Sequence, residues 1–192
     1  MTEQDELLED MEKELVVDRY GVDYHGVFDY DGLLRMIDKW CDEHDFYREI
    51  EGQKEKVTAK GRNISIGYCI RRDFKGKKRM TVLQFELEVE DMEDYDTEID
   101  GRTRQLNKGE VELYFHGYLM SSEKARWETK GYAYFIRGVI DKFIYKIDKP
   151  AYRGEAAGDC YALINEIKGF LNIYAHIGGS KPPRGRLKGG WV

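Results

Sequence analysis

The chain has 192 residues, 41% hydrophobic and 13% aromatic, which suits one domain with a substantial core. Charged residues make up 35%, above the roughly 25% usual for soluble proteins, and the net charge of −6 argues against bulk nucleic-acid packaging. No apolar run is long enough to span a membrane. The N-terminal MTEQDELLEDMEKEL lacks a charged-then-apolar signal pattern, so a cytoplasmic location is expected. Cys41, Cys69 and Cys160 are dispersed, odd in number and set in apolar patterns, which predicts buried free thiols.

The residues predict three regions: an acidic segment over 1–15, a single α+β domain over 16–177, and a flexible basic Gly/Pro-rich tail over 178–192. At the N-terminus, Leu7, Leu8, Met11 and Leu15 share one helical face, which predicts a short helix over 3–15. A strand is expected through Val22–Phe28. Asp29 or Asp31 then caps a helix carrying Leu33, Met36, Ile37, Trp40 and Cys41 at three- and four-residue spacing. Residues 46–57 and 62–71 read as strands, and the second passes through the basic turn RRDFKGKKR into a strand over 80–90. The alternation of Phe85, Leu87 and Val89 with Glu86, Glu88 and Glu90 puts the acids on the solvent face, with Arg71 and Arg72 expected as their cross-strand partners. Asp100-Gly101 predicts a tight hairpin over 95–106. LNKGE reads as a further turn before a strand over 111–119.

From Tyr132 the apolar period changes from two to three or four. One stripe runs Tyr132, Phe135, Ile136, Val139, Ile140, Phe143, Ile144 and Ile147, and a second runs Ala156, Cys160, Leu163, Ile164, Ile167, Phe170, Leu171 and Tyr174. Two long helices separated at Pro150 are predicted. The expected architecture is α+β, a curved antiparallel sheet of about six strands packed against long C-terminal helices.

This order of strand, helix, antiparallel strands and C-terminal helix resembles the helix-grip (START-like) group over about residues 20–175. That resemblance implies a sheet wrapped around the last helix and, often, an apolar ligand cavity between them. The segments LNKGEVELYFHGYL and RWETKGYAYFIRGVIDKFIYK also resemble conserved archaeal proteins that bring no assigned activity with them.

No catalytic motif is present. His25, His44, His116 and His176 fall in no HExxH or Cys/His spacing, and no glycine-rich phosphate loop, nucleophile elbow or EF-hand loop occurs. No metal site, cofactor or catalytic residue is therefore assigned.

The informative chemistry is the segregation of charge. Residues 48–79 carry +7, residues 80–112 carry −8, residues 1–14 carry −6 and residues 178–192 carry +4. Arg71, Arg72, Lys75, Lys77, Lys78 and Arg79 surround Phe74 at an expected hairpin tip, the residue types that contact phosphates and stack on an unpaired base. Lys181, Arg184, Arg186, Lys188 and Trp191 repeat that chemistry in the tail. The function expected is a non-enzymatic binding protein for structured RNA or a ribonucleoprotein such as the ribosome. The alternative is a helix-grip carrier of a lipid or other hydrophobic small molecule.

Overall fold

A computed structural model of the chain describes residues 12–74, 79–99, 102–121, 145–177 and 180–187. The described residues form six strands and two helices in the order β1 (Glu12–Phe28), α1 (Tyr30–Glu43), β2 (Tyr47–Thr58), β3 (Gly61–Asp73), β4 (Arg79–Ile99), β5 (Arg102–Ser121), α2 (Tyr145–Ile173) and β6 (Arg184–Leu187). The strands form one antiparallel sheet in the order β2-β3-β4-β5-β1-β6. The fold is thus α+β, and the described residues hold one C-terminal helix, the second of the two expected.

Strict alternation decides which side of the sheet is core. Ile64, Ile66, Tyr68 and Ile70 on β3, Leu83, Phe85, Leu87 and Val89 on β4, and Val111, Leu113 and Phe115 on β5 are buried and face one side. Both helices lie there. α1 contributes Leu33, Ile37, Trp40 and Cys41; α2 contributes Cys160, Leu163, Ile164, Ile167 and Leu171, all in the same cluster. α1 starts where expected, with the Asp29 carboxylate accepting from the Gly32 N–H at 2.7 Å. Gly117 on β5 sits where β1 and α2 converge: a Cβ there would stand 3.3 Å from Val17 Cβ, a tight contact, and 3.5 Å from Cys160 Cβ, an ordinary one.

Three local expectations are corrected. Glu12–Leu15 is strand, because β1 extends to Glu12 opposite Ser121 of β5; most of the expected N-terminal helix lies outside the described residues. LNKGE is not a turn: β5 runs unbroken from Arg102 to Ser121. Gly109 is required instead by a bulge in β4 near Asp91, since a Cβ at Gly109 would come within 2.8 Å of the Glu90 carbonyl oxygen. Pro150 does not separate two helices. α2 begins at Tyr145 and continues through Pro150 for 29 residues, about 43 Å, giving up the one backbone donor that proline lacks. Residues 132–144 of the first predicted stripe lie outside the described residues. The pairing expected over 95–106 is found, from Tyr95 opposite Leu106 to Ile99 opposite Arg102; Asp100 and Gly101 themselves lie outside the described residues.

The C-terminal stretch expected as a flexible tail supplies β6, which pairs with Tyr20–Asp23 of β1. Ser180 tethers the approach to it: its Oγ accepts from the Val27 N–H at 2.8 Å and donates to the Ile177 carbonyl at 2.6 Å, and the Lys181 N–H donates to the His25 carbonyl at 3.3 Å. Deleting residues 178–192 should lower stability by about 1–3 kcal/mol, the size expected for several lost backbone and side-chain bonds. Denaturant unfolding of the truncated chain checks this. All three cysteines are free and buried, and burial pushes Cys41 and Cys69 up to about 11 and Cys160 up to about 12. At pH 8 the native protein should therefore leave a thiol reagent such as DTNB almost unreacted, while the denatured chain titrates three thiols.

Candidate functional site

The basic turn between β3 and β4 stands on a base that the rest of the fold holds firmly. Its strands are closed by the Phe74 N–H donating to the Arg79 carbonyl at 3.0 Å. Arg72 points to the helix side and bonds Glu155 at 3.1 Å and Asp159 at 2.5 Å on α2, while its guanidinium lies over Phe46 at 4.9 Å and near Phe74 at 5.7 Å. Arg79 is buried against the Tyr152 ring at 4.6 Å, and Phe74 meets Tyr152 edge-on. Arg71 points to the opposite side, where it bonds Glu49 at 2.5 Å and lies over Tyr47 at 5.5 Å.

These contacts correct the expected pairing. Across the ladder Arg71 faces Val82 and Arg72 faces Thr81, so neither meets Glu86, Glu88 or Glu90. Their acids come from β2 and α2 instead. Three of the six basic residues of the turn are thus engaged within the fold; Lys75, Lys77 and Lys78 lie outside the described residues. In the C-terminal stretch, Arg186 Nε bonds Asp23 at 2.9 Å, Lys181 and Arg184 are exposed, and Lys188 and Trp191 lie outside the described residues. The turn and β6 are well separated. From the ladder registers they stand roughly 25 Å apart along the strands and about 15 Å across them.

Between them the side of the sheet away from α1 and α2 is acidic, and toward the turn the same side buries Cys69, Val82 and Met120. Glu88 stands opposite Glu112 and Glu90 opposite Glu110, and Asp23 on β1 continues the first row opposite Glu112. Like charges directly opposite are destabilising in a ladder, so this face is poorly suited to phosphates. Beside the row is an open trough of about 390 Å³ that the sequence reading missed. Its floor is low because Gly52 and Gly67 are paired there without side chains. Polar groups wall it: Gln84 Nε2 donates to Glu51 at 3.3 Å, Ser65 donates to Glu86 at 3.1 Å, and Lys54, Tyr114 and His116 complete the rim. The signal in the sequence was two glycines inside strand patterns.

His25 and His116 do not come together. His116 is 3.7 Å from Asp18, beyond hydrogen-bond distance. His25 lies on β1 opposite Glu110, six positions along β5 from His116, or roughly 20 Å. Among the described residues no group of three or more His, Cys, Asp or Glu is arranged to hold a metal ion, and no helix is long and apolar enough to cross a membrane.

The surroundings of Asp159 move its carboxyl away from the ordinary value. Burial raises it above the ordinary value, Arg72 opposes that rise, and Glu155 adds to it. The folded state therefore holds this proton more tightly than the unfolded state, and stability from this group falls as pH rises through its raised folded value. Arg72→Met should cost about 2–3 kcal/mol at neutral pH, because it leaves Asp159, 14% exposed, ionised beside Glu155 without its cation. The difference from wild type should shrink as acid protonates Asp159. Paired denaturation curves between neutral and mildly acidic pH measure it.

No family model, curated protein or solved structure matches the chain.

Proposed function

We propose that the chain is a non-enzymatic binding protein that contacts an anionic macromolecule, structured RNA alone or within a ribonucleoprotein, through the β3–β4 turn and the basic C-terminal stretch. The observation that carries this reading is the closed and anchored base of the turn, with Phe74 bonded to Arg79 and Arg72 tied to α2. A lysine-rich tip on a fixed base loses little freedom when it meets phosphates. The arginines then act as positioning residues, and Lys75, Lys77 and Lys78 are the contacts. Lys181 and Arg184 are a second exposed basic pair near the β6 edge. The acidic middle of the open face confines the polyanion to these two ends.

The order β1, α1, four antiparallel strands and α2, with α2 laid across the sheet, also supports a second reading as a helix-grip carrier of a hydrophobic small molecule. Against it, the side chains between sheet and helix leave little room: Leu113, Phe115, Leu163 and Ile164 have no exposure. A hydrophobic molecule released from the purified protein and seen by mass spectrometry would favour this second reading.

Replacing Lys75, Lys77 and Lys78 together by Gln should weaken RNA association and lower the slope of log affinity against log salt by about 2–3, at roughly 0.7–0.9 for each lost phosphate contact. The melting temperature should hardly change. Unchanged RNA affinity in that variant would end the phosphate reading, whereas Arg72→Met is expected to act first on stability.

A further inference from the structure

The two edges of the sheet are built differently. β6 is four residues long, follows Pro182-Pro183 and carries two arginines, a guarded edge. β2 is twelve residues long, contains no proline, and is exposed along nearly its whole length. Among the described residues no strand pairs with its outer side. Three large apolar side chains stand exposed on it: Tyr47 at 65%, Ile50 at 47% and Val57 at 75%. A long edge without proline is a template for another strand, and its charges and bulge restrict which strand can pair there.

The charge pattern of β2 indicates which strand. Reading from Glu49, the acids Glu49 and Glu51 come first and the bases Lys54 and Lys56 second. In an unbroken strand, odd and even positions would face opposite sides of the sheet. The register shift between Ile50 and Gly52 removes that conflict. Glu49 reaches Arg71 on the open side, Glu51 and Lys54 both line the trough there, and Lys56 follows Lys54 by two. All four charges therefore share one face, and their order reverses in sign about the middle of the strand.

We propose that β2 pairs antiparallel with β2 of a second copy of this chain about a two-fold axis. The register sets Glu49 opposite Lys56 and Glu51 opposite Lys54 of the other copy, each pair occurring twice by symmetry. On the helix side the same register sets Ile50 opposite Glu55 and Val57 opposite Arg48, so aliphatic stems cover the exposed apolar groups. Glu49 keeps its bond to Arg71, since a carboxylate accepts several donors. The product is one continuous sheet across both copies, with the two troughs side by side at the axis.

Sedimentation equilibrium across a range of concentrations tests this. The wild-type mass should double as concentration rises through the micromolar range, as suits a small interface. Lys54→Glu with Lys56→Glu should weaken self-association by at least about tenfold, as should Glu49→Lys with Glu51→Lys, and mixing the two variants should restore a heterodimer. Gln53→Pro should abolish pairing. Hydrogen exchange on the unaltered protein gives a readout independent of variant folding: amides within 47–58 should gain protection with concentration while those of β6 do not. A wild-type monomer at all concentrations would overturn the proposal. So would failure of the mixture to associate, or protection in β2 that ignores concentration. A dimer that survives both charge reversals would assign self-association to another surface.

Discussion

β1 does not pair with the strand that follows it in sequence but with β5, from Glu12 opposite Ser121 to Phe28 opposite Asn107. The chain reaches this pairing only after α1, β2, β3 and β4 have intervened, and closing so long a loop costs entropy that local hairpins avoid. Once made, it joins Val17 and Val22 to Leu113 and Phe115 as a continuous apolar floor. α2 can bury its stripe only on that floor, and α1 is held between α2 and the β2 side of the sheet. The same pairing leaves β1 with a free outer side, which β6 fills. Without it the four-stranded meander would have no lid.

The helices in turn fix the basic turn. Arg72 sits at the end of β3 on the core side, where a guanidinium would be costly to bury alone, and α2 brings Asp159 and Glu155 to it. Stacking on Phe46 and Phe74 uses the flat faces of the same group. One arginine thus links β3, α2 and the loop after α1. Arg71, one residue earlier, points the other way and ties β3 to β2 through Glu49. Two adjacent residues of like charge serve opposite sides of the sheet because a strand alternates.

Much of this architecture was legible where a local signal coincided with the tertiary structure. The Asp29 cap, the stripe from Leu33 to Cys41, the alternation in β3–β5 and the pairing of 95–99 with 102–106 all belong to that class. The misreadings share a different cause, in that distant backbone decided them. Glu12–Leu15 became strand because Ser121–Tyr118 was available to pair with it. Gly109 looked like a turn residue but answers to a bulge on the neighbouring strand. Arg-Gly-Arg-Leu has no strand signature of its own and is drawn in by the open edge of β1. Arg71 and Arg72 were paired with the wrong acids because Glu49 lies 22 residues back on β2 and the partners of Arg72 lie 83 and 87 residues further on. The trough was hidden for a similar reason, since neither Gly52 nor Gly67 marks a site until the register sets them side by side.

The rows of facing carboxylates on the open side, Glu88 with Glu112 and Glu90 with Glu110, have a consequence for how this molecule behaves in a crowd. A broad sheet face with one layer of helices behind it could stack on the same face of another molecule, as the layers of a sandwich do. Here each face would bring its carboxylates against those of the other, and water and counterions are displaced only at high cost. Face-to-face stacking is closed off by charge, while the edge keeps complementary signs. The sheet is therefore anisotropic toward its own kind: its acidic face resists stacking, and the β2 edge is the side whose charges suit a second copy.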